Sequence, residues 1–222
     1  MKLVLPEIDH IFETEQGYVN ELVIENPGLF YRILMDVYNQ SQGLEGVAVL
    51  SENDKQVPIS KYLEVLDKFI PFDLSKKNLI SKLSSELEKK AIEPENYQAT
   101  MELLSEIEKY LSDISFDFNC EINFNTITIA ALIKSSGISF CEDYDSLGEK
   151  VIDYMELVYE FDKHKLFILV NIRSYMDDTE LEMFIETVNR HGYSVVLIES
   201  KEAVEIKGIK RYIVDIDLCE IC

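Results

Sequence analysis

Apolar residues run unbroken from Leu166 to Val170 and stop at the polar Asn171. A run this short, within the stretch Lys165 to Asn171, fits a strand buried on both faces of a parallel sheet rather than a half-solvated hairpin strand. Asp177 then stands three residues before Glu180 as an acidic variant of the capping box. Leu181, Phe184, Ile185 and Val188 recur at helical spacing until Gly192. A second apolar run, Ser194 to Ile198, follows at once. Strand, amphipathic helix and strand in this order predict a right-handed βαβ unit, with Asn171 at the carboxyl edge where such sheets carry their chemistry.

The same periodicities organise the rest of the chain. Leu3 to Leu5 and Leu22 to Ile24 predict strands, Asn26, Pro27 and Gly28 a turn, and Phe30, Ile33, Leu34 and Val37 a helix. Gly46 to Leu50 predicts another strand, Lys61 to Lys68 a short helix, and Phe69 to Leu74 an extended piece. Ser146 to Lys163 is the clearest long helix, its start rich in the capping acids Glu142, Asp143 and Asp145, and Tyr212 to Ile216 predicts an edge strand.

The middle of the chain is different. Leu79, Ile80, Leu83 and Leu87 share one helical face, Tyr97, Met101, Leu104, Ile107 and Leu111 share another, and Pro94 suits the first turn of the second helix. Two helices joined through Ile92 and Glu93 predict a helical hairpin. Ile127 to Ser136 predicts a third helix ended by Gly137, and Ile138 to Cys141 a strand. The fold class is therefore α/β, with a discontinuous head formed by residues 1–74 and 137–222 and a helical insert over 75–136.

Between these helices, Phe116, Phe118, Cys120, Ile122 and Phe124 alternate strictly with Asp117, Asn119, Glu121, Asn123 and Asn125. The pattern predicts a strand, and its oxygen-rich face suggests a hard cation such as calcium, with Asp117, Glu121, Asn123 and Asn125 as candidate ligands. On a flat strand, side chains two apart lie roughly 6.5–7 Å from each other, so a plain solvent face explains the pattern as well.

Composition changes the picture in one respect. The 222 residues carry a formal net charge of −21, which opposes nucleic acid at long range and favours cations or basic partners. Two stretches run against that average: Lys76, Lys77 and Lys82 in the first, Lys207, Lys210 and Arg211 in the second. Either reads as a solvated face or as a phosphate-contacting patch. Cys120, Cys141, Cys219 and Cys222 are too few and scattered for a disulfide framework, and the three histidines show no metal-ligand pairing with them. No stretch is long and apolar enough for a membrane helix, and Pro6 interrupts the start, so a soluble, cytoplasmic protein is expected.

Catalytic signatures are missing. Where a phosphate loop would sit the chain reads VIENPGLFYR, with one glycine and no Gly-Lys-Ser or Gly-Lys-Thr, and the end of the central strand carries Asn171 in place of a magnesium-holding aspartate. A nucleophile elbow and a histidine paired with carboxylates are also lacking, so an enzyme is not expected.

ITIAALIKSSGISF, Ile127 to Phe140, together with KLFILVNIRSYM and the following DDTELEMFIE, Lys165 to Glu186, resembles the Csn-two family of type II-A CRISPR adaptation proteins. The resemblance implies a degenerate P-loop-NTPase-like parallel sheet without ATP chemistry. It further implies a ring-shaped homotetramer that binds double-stranded DNA ends through its central hole, takes up calcium, and works beside the other adaptation proteins and the effector nuclease. Lys134, in the LIK motif, is the lysine it marks for DNA. Glu121 keeps an acid of the family's carboxylate run, but Asn123 and Asn125 are neutral and Ala131 stands where members can carry glutamate, which implies weaker calcium binding. The runner-up is an acidic protein-interaction scaffold on a relic nucleotide-binding fold.

Overall fold

Every side chain of the strand Leu166–Val170 is buried, although the strand lies one place in from the edge of its six-stranded sheet. The computed structural model describes residues 1–14, 18–141, 143–161 and 166–221; Glu142, Lys163, His164, Lys165 and Cys222 lie outside them. The chain divides into two compact units, Met1–Phe72 with Glu142–Cys222, and Asp73–Cys141.

In the first unit the elements in order are β1 (Lys2–Val4), β2 (Ile11–Glu13), β3 (Val19–Ile24), α1 (Pro27–Ser41), β4 (Val49–Glu52), β5 (Lys55–Val57), α2 (Ile59–Tyr62) and β6 (Leu63–Leu66). The second unit contributes α3 (Lys77–Ile92), α4 (Pro94–Ser115) and α5 (Ile129–Ser135). The chain then returns to the first through α6 (Leu147–Phe161), β7 (Leu166–Val170), a 3₁₀ turn at Ile172–Ser174, α7 (Asp178–His191), β8 (Ser194–Glu199), β9 (Ile209–Val214) and β10 (Glu220–Ile221).

The main sheet has the order β10-β9-β3-β8-β7-β6. All its pairings are parallel except that of β10 with β9. A second, antiparallel sheet has the order β2-β1-β4-β5. Leu22, Ile24, Ile168, Val196 and Ile198 of the main sheet join Leu3, Phe12 and Leu50 of the small sheet and Leu29, Ile33 and Val37 of α1 in one core. Alternation turns Phe167 to the opposite face, where Tyr159 of α6 stacks on it. Burying each such aliphatic or aromatic side chain stabilises the fold by roughly 1.5–3 kcal/mol.

The βαβ unit forms as its sequence predicts: Asp177 accepts from the Glu180 N–H, and Gly192 closes α7 in the left-handed region at φ 70°. Four predictions are corrected. Lys61 to Lys68 is a helix only as far as Tyr62; Leu63–Leu66 is instead the parallel neighbour of β7, because Leu63 and Leu66 gain burial beside a fully buried strand. Tyr212 to Ile216 is not the edge, since β9 pairs with β3 on one side and β10 on the other. Ile138 to Cys141 forms no strand. Nor does Phe116 to Asn125, which is exposed and irregular, since two-residue alternation specifies a strand only where another strand lies alongside.

Candidate nucleic-acid interface

In the second unit, helices α3 and α5 border a groove of about 620 Å³. Pro94 opens α4 directly after Glu93 ends α3, and the hairpin is tied by Thr100, whose hydroxyl donates to the Ala91 carbonyl at 2.8 Å. The short α5 exists because Thr128 caps it, Oγ1 accepting from the Ala131 N–H at 3.2 Å, and because Gly137 ends it at φ 66°. Lys134 lies exposed in the last turn of α5.

Along α3, Lys77, Ser81, Ser84 and Glu88 fall at i, i+4, i+7 and i+11, one helical stripe, and all four line the groove. Ile80 and Ile133 give it an apolar lining between the polar walls. Two predicted cations, Lys77 and Lys134, therefore come together across elements far apart in sequence. Lys76, at the N-cap of α3, and Lys82, about 100° around the helix from Ser81, are both half-buried and do not line it. Two ammonium groups with serine hydroxyls suit phosphate oxygens, and Glu88 opposes an anion at one end.

The cations of the second basic stretch are dispersed. Lys207 is exposed beside a hollow of about 460 Å³ that it shares with Glu182 and Glu186. Lys210 places its Nζ 3.3 Å from the ring centre of Tyr18. Arg211 is turned inward, with only 14% of its side chain exposed, and leaves the DNA-facing set: its Nε donates to Glu21 Oε2 at 2.5 Å and its Nη1 to the Ala203 carbonyl at 2.8 Å. A guanidinium held by a buried carboxylate cannot also reach a phosphate.

Glu21 is fully buried and also accepts from Arg173 Nη1 at 2.7 Å, while Arg173 Nη2 donates to the Val204 carbonyl at 2.6 Å. Beside them Glu199 is 3% exposed and accepts from the Arg173 backbone N–H at 3.3 Å. Burial, with the Glu21 charge adding to it, pushes the Glu199 carboxyl up to about 7 against the partial offset of Arg173. Sequence reasoning missed this network; its only signal was a charged Glu21 beside Asn20 at the head of the apolar run Leu22 to Ile24.

At the end of β7, Asn171 adopts a left-handed φ of 52°, donates its backbone N–H to the Ile198 carbonyl at 2.9 Å, and accepts from the Ser200 N–H through Oδ1 at 2.8 Å. The amide clasps β7 to the end of β8. At the end of β3, Asn26 caps α1 by accepting from the Leu29 N–H at 3.0 Å, and Pro27 removes a further donor. Strand passes to helix through Glu25 and Asn26 alone, leaving no loop to cradle a phosphate.

Asp117, Glu121, Asn123 and Asn125 are all exposed on the irregular segment after α4. Among the described residues no group of three or more His, Cys, Asp or Glu side chains is placed to hold a metal ion. Two carboxylates and two amides spread along an open segment do not fit a calcium cage of six or more oxygens. No helix among the described residues is long and apolar enough to cross a membrane.

The chain is similar to known proteins in sequence and in fold. Residues 40–218 match the family described as CRISPR-associated protein (Cas_Csn2). The CRISPR-associated protein Csn2 of Streptococcus agalactiae is 20% identical over 197 residues, covering 88% of this chain and 87% of its own. That of Enterococcus faecalis is 24% identical over 121 residues, 51% of this chain and 54% of its own. The crystal structure of Stu0660 of Streptococcus thermophilus matches with a TM-score of 0.55 and 13% identity, over 95% of this chain and 74% of that one, a likeness of fold alone.

Proposed function

Because the chain belongs to the CRISPR-associated Csn2 family, we propose that it is a non-catalytic protein that holds double-stranded DNA ends, without reading their sequence, during the capture of new CRISPR spacers. In this reading it assembles as a homotetrameric ring and works beside the other adaptation proteins and the effector nuclease. The observation that carries the DNA part is the meeting of Lys77 and Lys134 on one groove of a chain whose net charge is −21. Against such a charge, phosphate contacts must be local, and ammonium groups make them without reporting on the bases.

The absence of chemistry is supported by the two asparagines. Asn171 offers a neutral amide, already bonded to Ser200, where a nucleotide hydrolase needs a carboxylate for magnesium, and Asn26 fills the N-terminus that would receive phosphate. The main sheet keeps β3 in its interior between β9 and β8, in keeping with a nucleotide-binding scaffold that has lost its ligand.

The test is duplex affinity measured against salt. Log affinity should fall linearly with log salt, and Lys77→Glu or Lys134→Glu should each reduce the slope by about one, whereas Lys82→Glu, off the groove stripe, should not. An affinity for linear duplex that is flat in salt, or indifferent to both groove lysines, would overturn the reading. The overall negative charge favours a second reading, a scaffold for basic adaptation partners. It predicts no retention of linear duplex and a stable complex with such a partner.

A further inference from the structure

Besides Ile92, Tyr97 and Met101, the exposed large apolar residues of the second unit fall in two places. Phe116 is 89% exposed, Phe118 63% and Phe124 49%, all in the segment whose alternating sequence finds no strand to pair with among the described residues. On α4, Leu103, Tyr110 and Ile114 stand at i, i+7 and i+11, a single stripe, and are 48%, 62% and 51% exposed. Aromatic and branched side chains this densely placed in water mark an interaction surface rather than scattered surface hydrophobes.

We infer that a second copy of this chain covers it, the two 116–124 segments pairing as antiparallel strands centred on Cys120. The backbone is available for this. The Phe116 and Phe118 N–H groups make only turn bonds to Asp113 and Ser115, each 3.3 Å long. Both are longer than the usual 2.9–3.0 Å.

The register follows from the side chains. Centred on Cys120, Phe116 lies opposite Phe124, Phe118 opposite Ile122, and Cys120 opposite its own copy. On the other face Asp117 meets Asn123 and Asn119 meets Glu121, so every carboxylate faces an amide. Neighbouring registers fail: centring on Asn119 sets Asp117 against Glu121, and centring on Glu121 sets that carboxylate against itself. Like charges directly opposite destabilise a strand pair, and half-step registers would put apolar residues opposite polar ones. A basic foreign partner would suit the net charge but has no reason to match this symmetry.

A two-stranded ribbon alone is marginal in water. Its apolar face needs a cover, and the exposed stripe of α4 is apolar surface in the same unit.

The inference rests on the self-association in the proposed function and not on its DNA contacts. Its test uses the full chain with Cys141→Ser, Cys219→Ser and Cys222→Ser, leaving Cys120 as the one thiol. Diamide then removes two electrons and two protons from a pair of thiols as the S–S bond forms. Paired Cys120 residues lie within disulfide reach, since facing antiparallel residues have Cα atoms about 4.5–5.5 Å apart. Most chains should become covalent dimers at dilute concentration, and adding Cys120→Ser should leave them single.

Independently, Phe118→Asp should weaken self-association by on the order of a hundredfold in light scattering, since the charge enters the seam twice. Its circular dichroism spectrum should be unchanged. An assembly that forms yet neither cross-links through Cys120 nor responds to Phe118→Asp overturns the seam and leaves the ring intact. A protein that stays a single subunit at every concentration overturns both.

Discussion

Arg211 Nε lies 2.5 Å from Glu21 Oε2, a guanidinium from β9 closing on a carboxylate buried in the middle of β3. Arg173 completes the arrangement from beyond β7 at 2.7 Å, so one carboxylate holds two arginines that in turn hold the Ala203 and Val204 carbonyls. Two strands, the turn that follows β7 and the segment leading into β9 are tied through a single side chain.

Removing that carboxylate leaves two largely buried guanidinium groups facing the exposed and more distant carboxylates of Asp178, at 3.8 Å from Arg173, and Glu202, at 3.7 Å from Arg211. Glu21→Gln should lower the stability of the fold by about 3–5 kcal/mol, the usual loss when one partner of a buried ion network is deleted. Urea denaturation followed by circular dichroism checks this, and Lys207→Gln, an exposed cation of the same stretch, should change stability by no more than about 0.5 kcal/mol.

Glu199 gives the fold a pH dependence with a defined sign. Its carboxyl is raised from 4.5 to about 7, chiefly by burial, so the folded state holds a proton that the unfolded state has already released. The stability it contributes is fully present below about pH 4.5 and is lost as pH rises through about 7. Glu199→Gln keeps an acceptor for the Arg173 N–H and removes the titration. The variant should therefore gain on the parent chain as pH rises across that window, by about 2–3 kcal/mol at the upper end. Midpoints of denaturation measured at intervals from pH 5 to about 8 would show the curves separating; parallel curves would contradict it.

What the sequence disclosed depended on whether a signal was local. Asp177, Gly192 and the apolar stripe between them define α7 without help from distant residues, and five uninterrupted apolar side chains can only be a buried strand here. Leu63–Leu66 reads equally well as helix or strand until β7 lies beside it, and the aromatic alternation from Phe116 finds no strand partner among the described residues. At the groove, lysines were visible as charge, yet only the packing of α5 beside α3 separates Lys77 and Lys134 from Lys82, and only the pairing of β9 with β3 turns Arg211 inward onto Glu21. Net charge and periodicity carry no information on which cation is held by a carboxylate brought from another strand.

Calcium should bind weakly. Asp117 and Glu121 are the only acids of the candidate set, on an open segment, and affinity follows the number of charged ligands and the rigidity of the cage. Calorimetric titration should give a dissociation constant of about 0.1 mM or weaker, and Asp117→Asn with Glu121→Gln should remove what binding there is. Micromolar binding that survives both substitutions would place the ion elsewhere.

The groove depends on a helix too short to stand alone. α5 has seven residues, well under the length at which isolated helices persist in water, and Lys134 sits in its last turn. Its N-terminus is closed by the Thr128 hydroxyl on the Ala131 N–H. Thr128→Ala should therefore cost about 1 kcal/mol locally, while Thr128→Ser, which keeps the oxygen, should cost little. Because α5 carries no buried residue, this loss should appear as faster hydrogen exchange of the α5 amides, with the α7 amides unchanged. If Lys134 contacts phosphate from a formed helix, duplex affinity should fall with Thr128→Ala and recover with Thr128→Ser. Faster exchange in α5 without any loss of affinity would mean that Lys134 reaches DNA, if at all, from an unfolded segment.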